Sequence, residues 1–317
     1  MISPKNMFES MPNTGPEIQV ACALIWRDGQ ILLSRRHQSA HQGGLWEFPG
    51  GKFETGEDPK TCLTRELEEE LGIIPRNTYF MFQIPWDYGD KLIRLWVYEV
   101  VAFDGEPQGL EGQDVNWFST DALRTLQIPK ANDAIVRAIG LARVLRIYDP
   151  SLAHEPAVWA TKTEYQCLLY FRGLSAGVQL ETAVDAALTH GHQGILTLDQ
   201  LPYFRAGCGV HLRKTDRVSD ALTHLGKLNK PWPITAGIRD EKDIDRQRGW
   251  PFDALLISPV LETPSHQGMQ ALGWERFSEL AGKVGVPAYA LGGITHDDLF
   301  TVTEHAGFGA AGIRGFQ

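Results

Sequence analysis

The sequence is poor in cysteine and has no long apolar run. Its four cysteines, Cys22, Cys62, Cys167 and Cys208, are far apart and form no Cys-x-x-Cys pair. This spacing argues against a zinc site and against a disulfide scaffold, and it predicts buried thiols in a reducing compartment. No stretch is apolar for long enough to span a membrane, and residues 1–17 lack the apolar core of a signal peptide. We therefore expect a cytoplasmic protein with no membrane partner.

Positive charge is also scarce. The chain has 30 lysines and arginines against 39 aspartates and glutamates, which gives a net charge of -9. Such a balance argues against general affinity for a nucleic acid polymer, so an anionic substrate needs a local positive patch or a metal ion. With 317 residues, of which 43% are hydrophobic, the chain is long enough for two domains with separate cores.

Residues 50–73 read GGKFETGEDPKTCLTRELEEELGI, and this segment predicts a helix between two glycine turns. Asp58 suits the N-cap and Pro59 suits the first helical position. Gly72 is the expected C-terminal stop. The four-residue spacing of Leu63, Leu67 and Leu71 predicts one buried stripe.

Three glutamates of this helix, Glu66, Glu69 and Glu70, have i, i+3 and i+4 spacing, so their side chains converge on another face. Without a partner they would repel one another, whereas a divalent cation keeps them ionised. A carboxylate-held magnesium usually acts on phosphates. A solvated acidic face is the alternative, but Glu57 and Arg65 in a fixed frame with the glycine turns favour a metal site. Arg65 is placed to orient one carboxylate.

The segment from Gly51 to Ile73 resembles the Nudix box, G-x5-E-x7-R-E-U-x-E-E-x-G-U, at every position, where U is aliphatic. The resemblance extends from about Ile18 to Leu141 and is greatest to the MutT branch, which hydrolyses oxidised purine nucleoside triphosphates. Four further features support that branch: Arg35-Arg36, Glu47-Phe48-Pro49-Gly50, Glu111-Gly112-Gln113, and Ile128-Pro129-Lys130-Ala131-Asn132.

The resemblance implies a Nudix α/β/α fold with a mixed sheet, and it implies Mg²⁺ as cofactor, with Mn²⁺ as a substitute. The implied metal ligands are Glu66, Glu69, Glu70 and the carbonyl of Gly50, with Glu111 nearby. Arg65 would orient a ligand, and the general base is Glu66 as first choice or Glu111 as second. The implied substrate-binding residues are Arg36, His41, Glu47, Phe48, Pro49, Gly50 and Asn132.

Three of these residues have simpler alternatives. His41 lies in a loop and is inert if it does not contact the nucleotide. Glu111 lies in a loop rich in glycine and glutamate, where a carboxylate occurs by chance. Asn132 is a preferred N-cap residue for the helix that follows it, although capping and reading the oxidised base are compatible roles.

The pattern of the first half predicts strands over Gln19–Trp26, Gln30–Ser34, Leu92–Phe103 and Asp114–Phe118, and a closing helix over Ala131–Leu145. Breaker residues between Tyr148 and Pro156 place a boundary nearby. We therefore predict a flexible lead over residues 1–17, a Nudix domain over 18–145 and a second domain over 146–317.

In the second half, strands alternate with helices. The predicted strands are Cys167–Phe171, Gly194–Leu198, Gly209–Leu212, Pro233–Gly237, Ala254–Ser258, Ala288–Leu291 and Ala310–Ile313. Alternation of this kind implies a parallel sheet, and about eight strands favour a closed barrel.

This half is similar to thiamine phosphate synthase and its TenI relatives, which are (β/α)8 barrels. The similarity depends on three motifs: Gly209-Val210-His211-Leu212, Ser258-Pro259-Val260 with Thr263-Pro264-Ser265-His266, and Ala290-Leu291-Gly292-Gly293-Ile294. Where the synthase has a lysine for pyrophosphate, this chain has His266, which argues against synthesis. The glycines before a helix N-terminus would suit a phosphate, or they form a tight barrel turn.

We therefore expect a magnesium-dependent hydrolase that cleaves 8-oxo-dGTP to the monophosphate and pyrophosphate. One alternative is a Nudix enzyme for another nucleoside diphosphate derivative, such as ADP-ribose or a sugar nucleotide. Another is a thiamine-pathway protein that acts through the barrel. A third is a barrel that binds a small phosphorylated ligand and regulates or stabilises the hydrolase.

Overall fold

The computed structural model of the protein describes residues 17–38, 42–152, 155–246, 250, 252–263, 268 and 270–316. The described residues up to 139, together with residues 282–286, belong to one compact unit, and residues 140–281 and 287–316 belong to the other. None of the helices in these ranges combines the length and apolarity that crossing a membrane requires.

The first unit contains a mixed sheet. Its strands are β1 (Glu17–Arg27), β2 (Gln30–Arg35), β3 (Trp46–Glu47), β4 (Ile74–Asp87), β5 (Leu92–Asp104) and β6 (Val115–Ser119). The order is β3-β2-β1-β5-β4, and β6 pairs with β2. The β1–β5 pair is parallel and the other pairs are antiparallel, which confirms the predicted mixed sheet.

Helix α1 (Pro59–Leu71) begins and ends where the sequence predicts. The Asp58 side chain accepts the backbone N–H groups of the second and third helical residues, and Gly72 ends the helix in the left-handed conformation with φ 68°. The leucine stripe of Leu63, Leu67 and Leu71 is fully buried. Glu66, Glu69 and Glu70 therefore lie on another face of the helix, away from this buried stripe.

One prediction for the first half is wrong, and one strand was not predicted. The helix expected over residues 131–145 is a 3-10 turn, Lys130–Asn132, followed by a short helix, α3 (Asp133–Ala138); the four-residue helix α2 (Thr120–Leu123) precedes both. Residues Val144–Ile147 form a strand, β7, that pairs with two barrel strands. The long strand β4 escaped prediction because two prolines, Pro75 and Pro85, interrupt its pattern.

The second unit is a closed barrel of parallel strands, as predicted. Its strands, besides β7, are β8 (Leu168–Tyr170), β9 (Gln193–Leu196), β10 (Cys208–Leu212), β11 (Ile234–Ile238), β12 (Ala254–Ile257), β13 (Ala288–Leu291) and β14 (Gly309–Gly312). They follow one another around the barrel in chain order, and β14 closes on β7. The strand missing from the predicted seven is therefore β7.

The helices of this unit occur between the strands, as expected for a βα repeat. They are α4 (Pro156–Ala160), α5 (Val178–Thr189), α6 (Val218–Leu225), α7 (Glu241–Arg246), α8 (Gly273–Val284) and α9 (Leu299–Glu304). Part of the apolar core lies where α4 and α5 cover the barrel wall, and it includes Trp159, Phe171 and Leu180. The cysteines of both units are buried and unpaired, which confirms the predicted buried thiols.

Candidate active site

The loop before α1 is hydrogen-bonded to strand β1. The carbonyls of Pro49 and Gly51 accept backbone N–H groups of β1 at 2.8 and 2.9 Å. Gly50 lies between them with φ 139°, and a β-carbon there would lie 2.1 Å from the carbonyl oxygen of Ala21, so only glycine fits. Its N–H donates to Oε2 of Glu70 at 3.2 Å. Its carbonyl makes no hydrogen bond to any residue that the structure describes.

Arg65 donates hydrogen bonds to carboxylates before the helix and in its second half. It donates two hydrogen bonds to Glu57, at 2.7 and 2.9 Å, one to Glu66 at 2.9 Å and one to Glu69 at 3.0 Å. It also donates to the carbonyl of Lys52 at 3.0 Å. The hydrogen bonds from Arg65 lower the pKa of Glu57 to about 2. Arg65 thus contacts three carboxylates, and its role in orienting a metal ligand stays a prediction.

Burial and neighbouring negative charges act on two glutamates of the helix, Glu70 and Glu66. Desolvation first, and then the charges of Glu66, Glu47 and Glu111, raise the pKa of Glu70 to about 8, against the lowering effect of the hydrogen bond from Gly50. Desolvation also raises the pKa of Glu66, with contributions from the charges of neighbouring carboxylates. A cation at this face would offset that repulsion, so the donor set fits a divalent metal ion.

The side chains as they stand do not yet enclose an ion. Within the described residues, no three His, Cys, Asp or Glu side chains converge closely enough to coordinate one metal. Arg65 engages Glu66 and Glu69 in ion pairs. Each of these ion pairs uses one carboxylate oxygen, so the second oxygen of Glu66 and of Glu69 is not bonded to Arg65. The individual ligand roles stay predictions.

Glu111 lies exposed on the loop between β5 and β6. Its charge raises the pKa values of both Glu66 and Glu70, so its carboxylate lies within electrostatic reach of the cluster. The structure therefore brings together the four predicted carboxylate ligands on one side of the first unit.

The predicted phosphate-binding arginine is paired with a second predicted site residue. Arg36 and Glu47 form a salt bridge, and each side chain is 26% exposed. Burial raises the pKa of Glu47 against the opposing effect of Arg36. Burial likewise raises the pKa of Tyr88, on which the charges of Arg36 and Glu47 also act. Tyr88 was missed in the sequence, although it lies in the turn Asp87–Lys91 between two strand-like runs.

Asn132 is the most informative residue on the substrate side. It is 8% exposed and occupies the N-cap position of α3, yet its side chain makes no capping hydrogen bond. It makes no side-chain hydrogen bond to any other described residue either. The capping alternative is therefore wrong. The amide is not among the fully buried polar atoms that lack a partner, so it reaches solvent and is free to bond a ligand or water.

Three further residues were predicted to bind the substrate: Phe48, Pro49 and His41. Phe48 is buried, and the adjacent Pro49 leads directly into the Gly50 turn. Their substrate-binding roles stay predictions. His41 lies outside the described residues.

The barrel carries a separate cavity of about 150 Å³ beyond the carboxyl ends of β12, β13 and β14. Ser258, Arg172 and Arg314 line it together with the Gly292-Gly293 turn. Both glycines have positive φ, and a β-carbon on either would approach neighbouring atoms within 2.7 Å. The predicted segment from Pro264 to His266 lies outside the described residues.

Comparison with known proteins agrees with this division. Residues 20–138 match the family model described as the NUDIX domain. The chain is 36% identical over 121 residues to the 8-oxo-dGTP diphosphatase of Escherichia coli strain K12, covering 38% of this chain and 94% of that protein. It is 39% identical over 123 residues to the enzyme of the same name from Haemophilus influenzae, covering 38% and 90%. The chain belongs to the Nudix family.

A third relative of the Nudix domain has another substrate in its name. The CTP pyrophosphohydrolase of Escherichia coli strain K12 is 35% identical over 132 residues, covering 42% of this chain and 98% of that protein. Nudix hydrolases use a divalent metal ion, typically Mg²⁺, and act on small nucleotide substrates. In the barrel, residues 205–316 match the family model described as thiamine monophosphate synthase.

Proposed function

We propose that the Nudix domain hydrolyses 8-oxo-dGTP to 8-oxo-dGMP and pyrophosphate. The observation that carries this proposal is Asn132, a largely buried residue whose solvent-accessible amide has no hydrogen-bond partner among the described residues. A carboxamide offers both a donor and an acceptor, which the edge of an oxidised guanine would satisfy. The names of two relatives, 8-oxo-dGTP diphosphatases, support the same substrate.

Glu66, Glu69, Glu70 and the carbonyl of Gly50 would hold Mg²⁺, with Glu111 beside them. The bound ion supplies positive charge that offsets the charge of the phosphates and stabilises the charge that develops during transfer. The raised pKa of Glu70 and the carbonyl of Gly50, which no described residue occupies, support this ligand set. Mn²⁺ accepts the same oxygen ligands.

The chain's own groups then orient the reactants and move one proton. Arg36 exchanges its salt bridge with Glu47 for the phosphates and clamps them. A water molecule attacks the β-phosphorus, its proton passes to a carboxylate, and the bond to the bridging oxygen of the nucleoside monophosphate breaks. Glu66 is the first candidate for the base and Glu111 the second. Arg65 keeps the helix carboxylates oriented throughout.

The test compares base discrimination with turnover. Asn132→Ala should lower the ratio of kcat/KM for 8-oxo-dGTP to that for dGTP by roughly 5- to 150-fold, because a lost base contact costs about 1–3 kcal/mol. Asn116→Ala is the matched control, since Asn116 is exposed on β6. An unchanged ratio in Asn132→Ala, with the fold intact, would contradict the proposal that Asn132 recognises the oxidised guanine.

The same assay should include CTP, ADP-ribose and a sugar nucleotide. The similarity to a CTP pyrophosphohydrolase is the observation that favours CTP as second candidate. If wild-type kcat/KM for CTP exceeds that for 8-oxo-dGTP, the substrate changes while the Nudix hydrolase assignment stands.

For the barrel we propose binding of a small phosphate monoester, without thiamine phosphate synthesis. Two arginines, Arg172 and Arg314, line the cavity beside the backbone of Gly292-Gly293, and such a combination suits a phosphoryl group. Ligand binding to the folded state raises its melting temperature. A phosphate monoester such as glycerol phosphate should therefore raise the melting temperature of wild type but not of Arg314→Gln. Equal shifts in both proteins would contradict this site.

A further inference from the structure

The loop between β5 and β6 is fastened to the carboxyl end of helix α1. The N–H of Gln108 donates to the carbonyl of Leu71, and the N–H of Leu110 donates to the carbonyl of Glu70, both at 3.0 Å. The last carbonyls of a helix have no partner within the helix. The loop supplies these partners, so its position depends on the helix that carries the glutamates.

The side chain of Gln113 makes a further link with both of its ends. Its Nε2 donates to the carbonyl oxygen of Glu70 at 3.0 Å, and its Oε1 accepts the N–H of Glu111 at 2.9 Å. One carboxamide therefore joins the backbones of two predicted metal ligands. Glutamate at this position could still accept but could not donate, and leucine could do neither.

The turn that presents Glu111 leaves little room for other conformations. The N–H of Gly112 donates to the carbonyl of Gly109 at 3.1 Å, and Gly112 has φ 81°. A β-carbon on Gly109 would lie 1.8 Å from the carbonyl oxygen of Gln113. Glu111 itself is exposed, and the Gln113 carboxamide is the side-chain group that holds its backbone to the helix.

We propose that Gln113 is a positioning residue: its carboxamide fixes the backbone of Glu111 to Glu70, so that the Glu111 carboxylate stays beside the metal-binding helix. The charge of Glu111 acts on both Glu66 and Glu70, which places its carboxylate where such control matters. This inference rests on the proposed metal role of Glu111, but it does not depend on which nucleotide is the substrate.

A double-mutant cycle in the full chain tests the proposal. Gln113→Leu removes both hydrogen bonds, Gln113→Glu removes only the donor, and Glu111→Gln removes the carboxylate charge. The control is Gln108→Leu, because the Gln108 side chain is exposed in the same loop and only its backbone N–H binds the helix. Melting temperatures show which variants fold, and Gln113→Glu replaces Gln113→Leu if the leucine variant does not.

Two quantities should be measured: Mn²⁺ affinity without nucleotide, by electron paramagnetic resonance, and kcat/KM for any nucleotide that wild type cleaves. Gln113→Leu should weaken each roughly five- to tenfold, the order of magnitude expected for losing these two structural hydrogen bonds. In the Glu111→Gln background the same change should have no effect, because the group it positions is absent. Gln108→Leu should match wild type.

Three outcomes overturn the proposal. One is a loss from Gln113→Leu that is equally large with and without Glu111. Another is wild-type behaviour of folded Gln113→Leu. The third is wild-type behaviour of Glu111→Gln, since Gln113 would then have no functional group to position. If wild type cleaves no nucleotide, the proposed function fails, while the Mn²⁺ affinities still decide the role of Gln113.

Discussion

The carboxyl group of Glu66 lies directly against the backbone of Gly51. A β-carbon at residue 51 would lie 2.2 Å from the carboxyl carbon of Glu66 and 2.3 Å from each of its oxygens. Gly51 does not have positive φ, unlike Gly50 and Gly72. Its requirement for glycine therefore comes from the clearance that one carboxylate needs, and not from turn geometry.

This clearance predicts a specific defect in Gly51→Ala. The added methyl group should displace the Glu66 carboxylate, and a displacement of about 1 Å at a reacting group costs roughly a hundredfold in rate. The matched control is Gly177→Ala in the barrel, where a β-carbon meets no atom within 4 Å. Turnover per folded molecule should fall in the first variant and stay at the wild-type level in the second. Near-normal turnover of folded Gly51→Ala would contradict a role for the Glu66 carboxylate in the reaction.

Substitutions of the glutamates on helix α1 should differ sharply in their effect on turnover. Glu69→Gln and Glu70→Gln should each lose roughly two or more orders of magnitude in turnover with the fold retained, because each removes a charge from the metal site. Glu68→Gln is the control on the same helix, since Glu68 is exposed between two predicted ligands. Similar turnover in all three variants would show that this face does not hold the catalytic ion.

The sequence predicted helix α1 well because its signals are local. Asp58, Pro59 and Gly72 each act within one turn of the helix end, and the leucine stripe has an unambiguous helical period. The carboxylate spacing likewise follows from the helix alone. This part of the site could be read from the chain because few distant contacts decide it.

The errors lie where distant contacts decide. Val144–Ile147 contains Arg146, which is fully buried and donates to the carbonyls of Phe316 and Trp159. A charged residue in the run weakened the strand pattern, and the strand exists because it closes the barrel between β14 and β8. The role of Gln113 was equally hidden, because its partner Glu70 lies 43 residues away in the chain.

A buried histidine should make barrel stability depend on pH. The ring of His211 packs against that of Tyr170, with centroids 4.7 Å apart and a tilt of 36°, and His211 hydrogen-bonds Thr235 at 3.0 Å. Burial lowers its pKa to about 4, and the charges of Arg213 and Arg172 contribute. The unfolded chain binds a proton near pH 6.5 while the folded barrel resists it. Stability from this group is therefore complete above pH 6.5 and decreases as the pH falls toward 4, by at most about 3 kcal/mol.

Calorimetric unfolding between pH 7.5 and 4.5 would measure this effect. His211→Gln should flatten the pH dependence of the barrel transition, because the glutamine does not titrate. His224→Gln should leave the slope unchanged, since His224 is exposed on α6. If His211→Gln has the wild-type slope, another group accounts for the acid sensitivity.

A cut between residues 139 and 140 separates the two units except for residues 282–286, which belong to the first unit, and the position of the cut should matter. Residues 1–139 contain Arg36, the α1 glutamates, Glu111 and Asn132, so this fragment should keep nucleotide hydrolysis per folded molecule.

Residues 140–317 include β7, whereas a fragment that starts at Asp149 lacks it. Without β7, strands β14 and β8 would each expose an unpaired edge, because β7 is their common neighbour. We therefore expect cooperative thermal unfolding, followed by circular dichroism, for the fragment from Gly140 and none for the fragment from Asp149. Equal cooperativity in both would show that the barrel closes without β7. An inactive but folded fragment 1–139 would show that residues beyond 139 contribute to the hydrolase site.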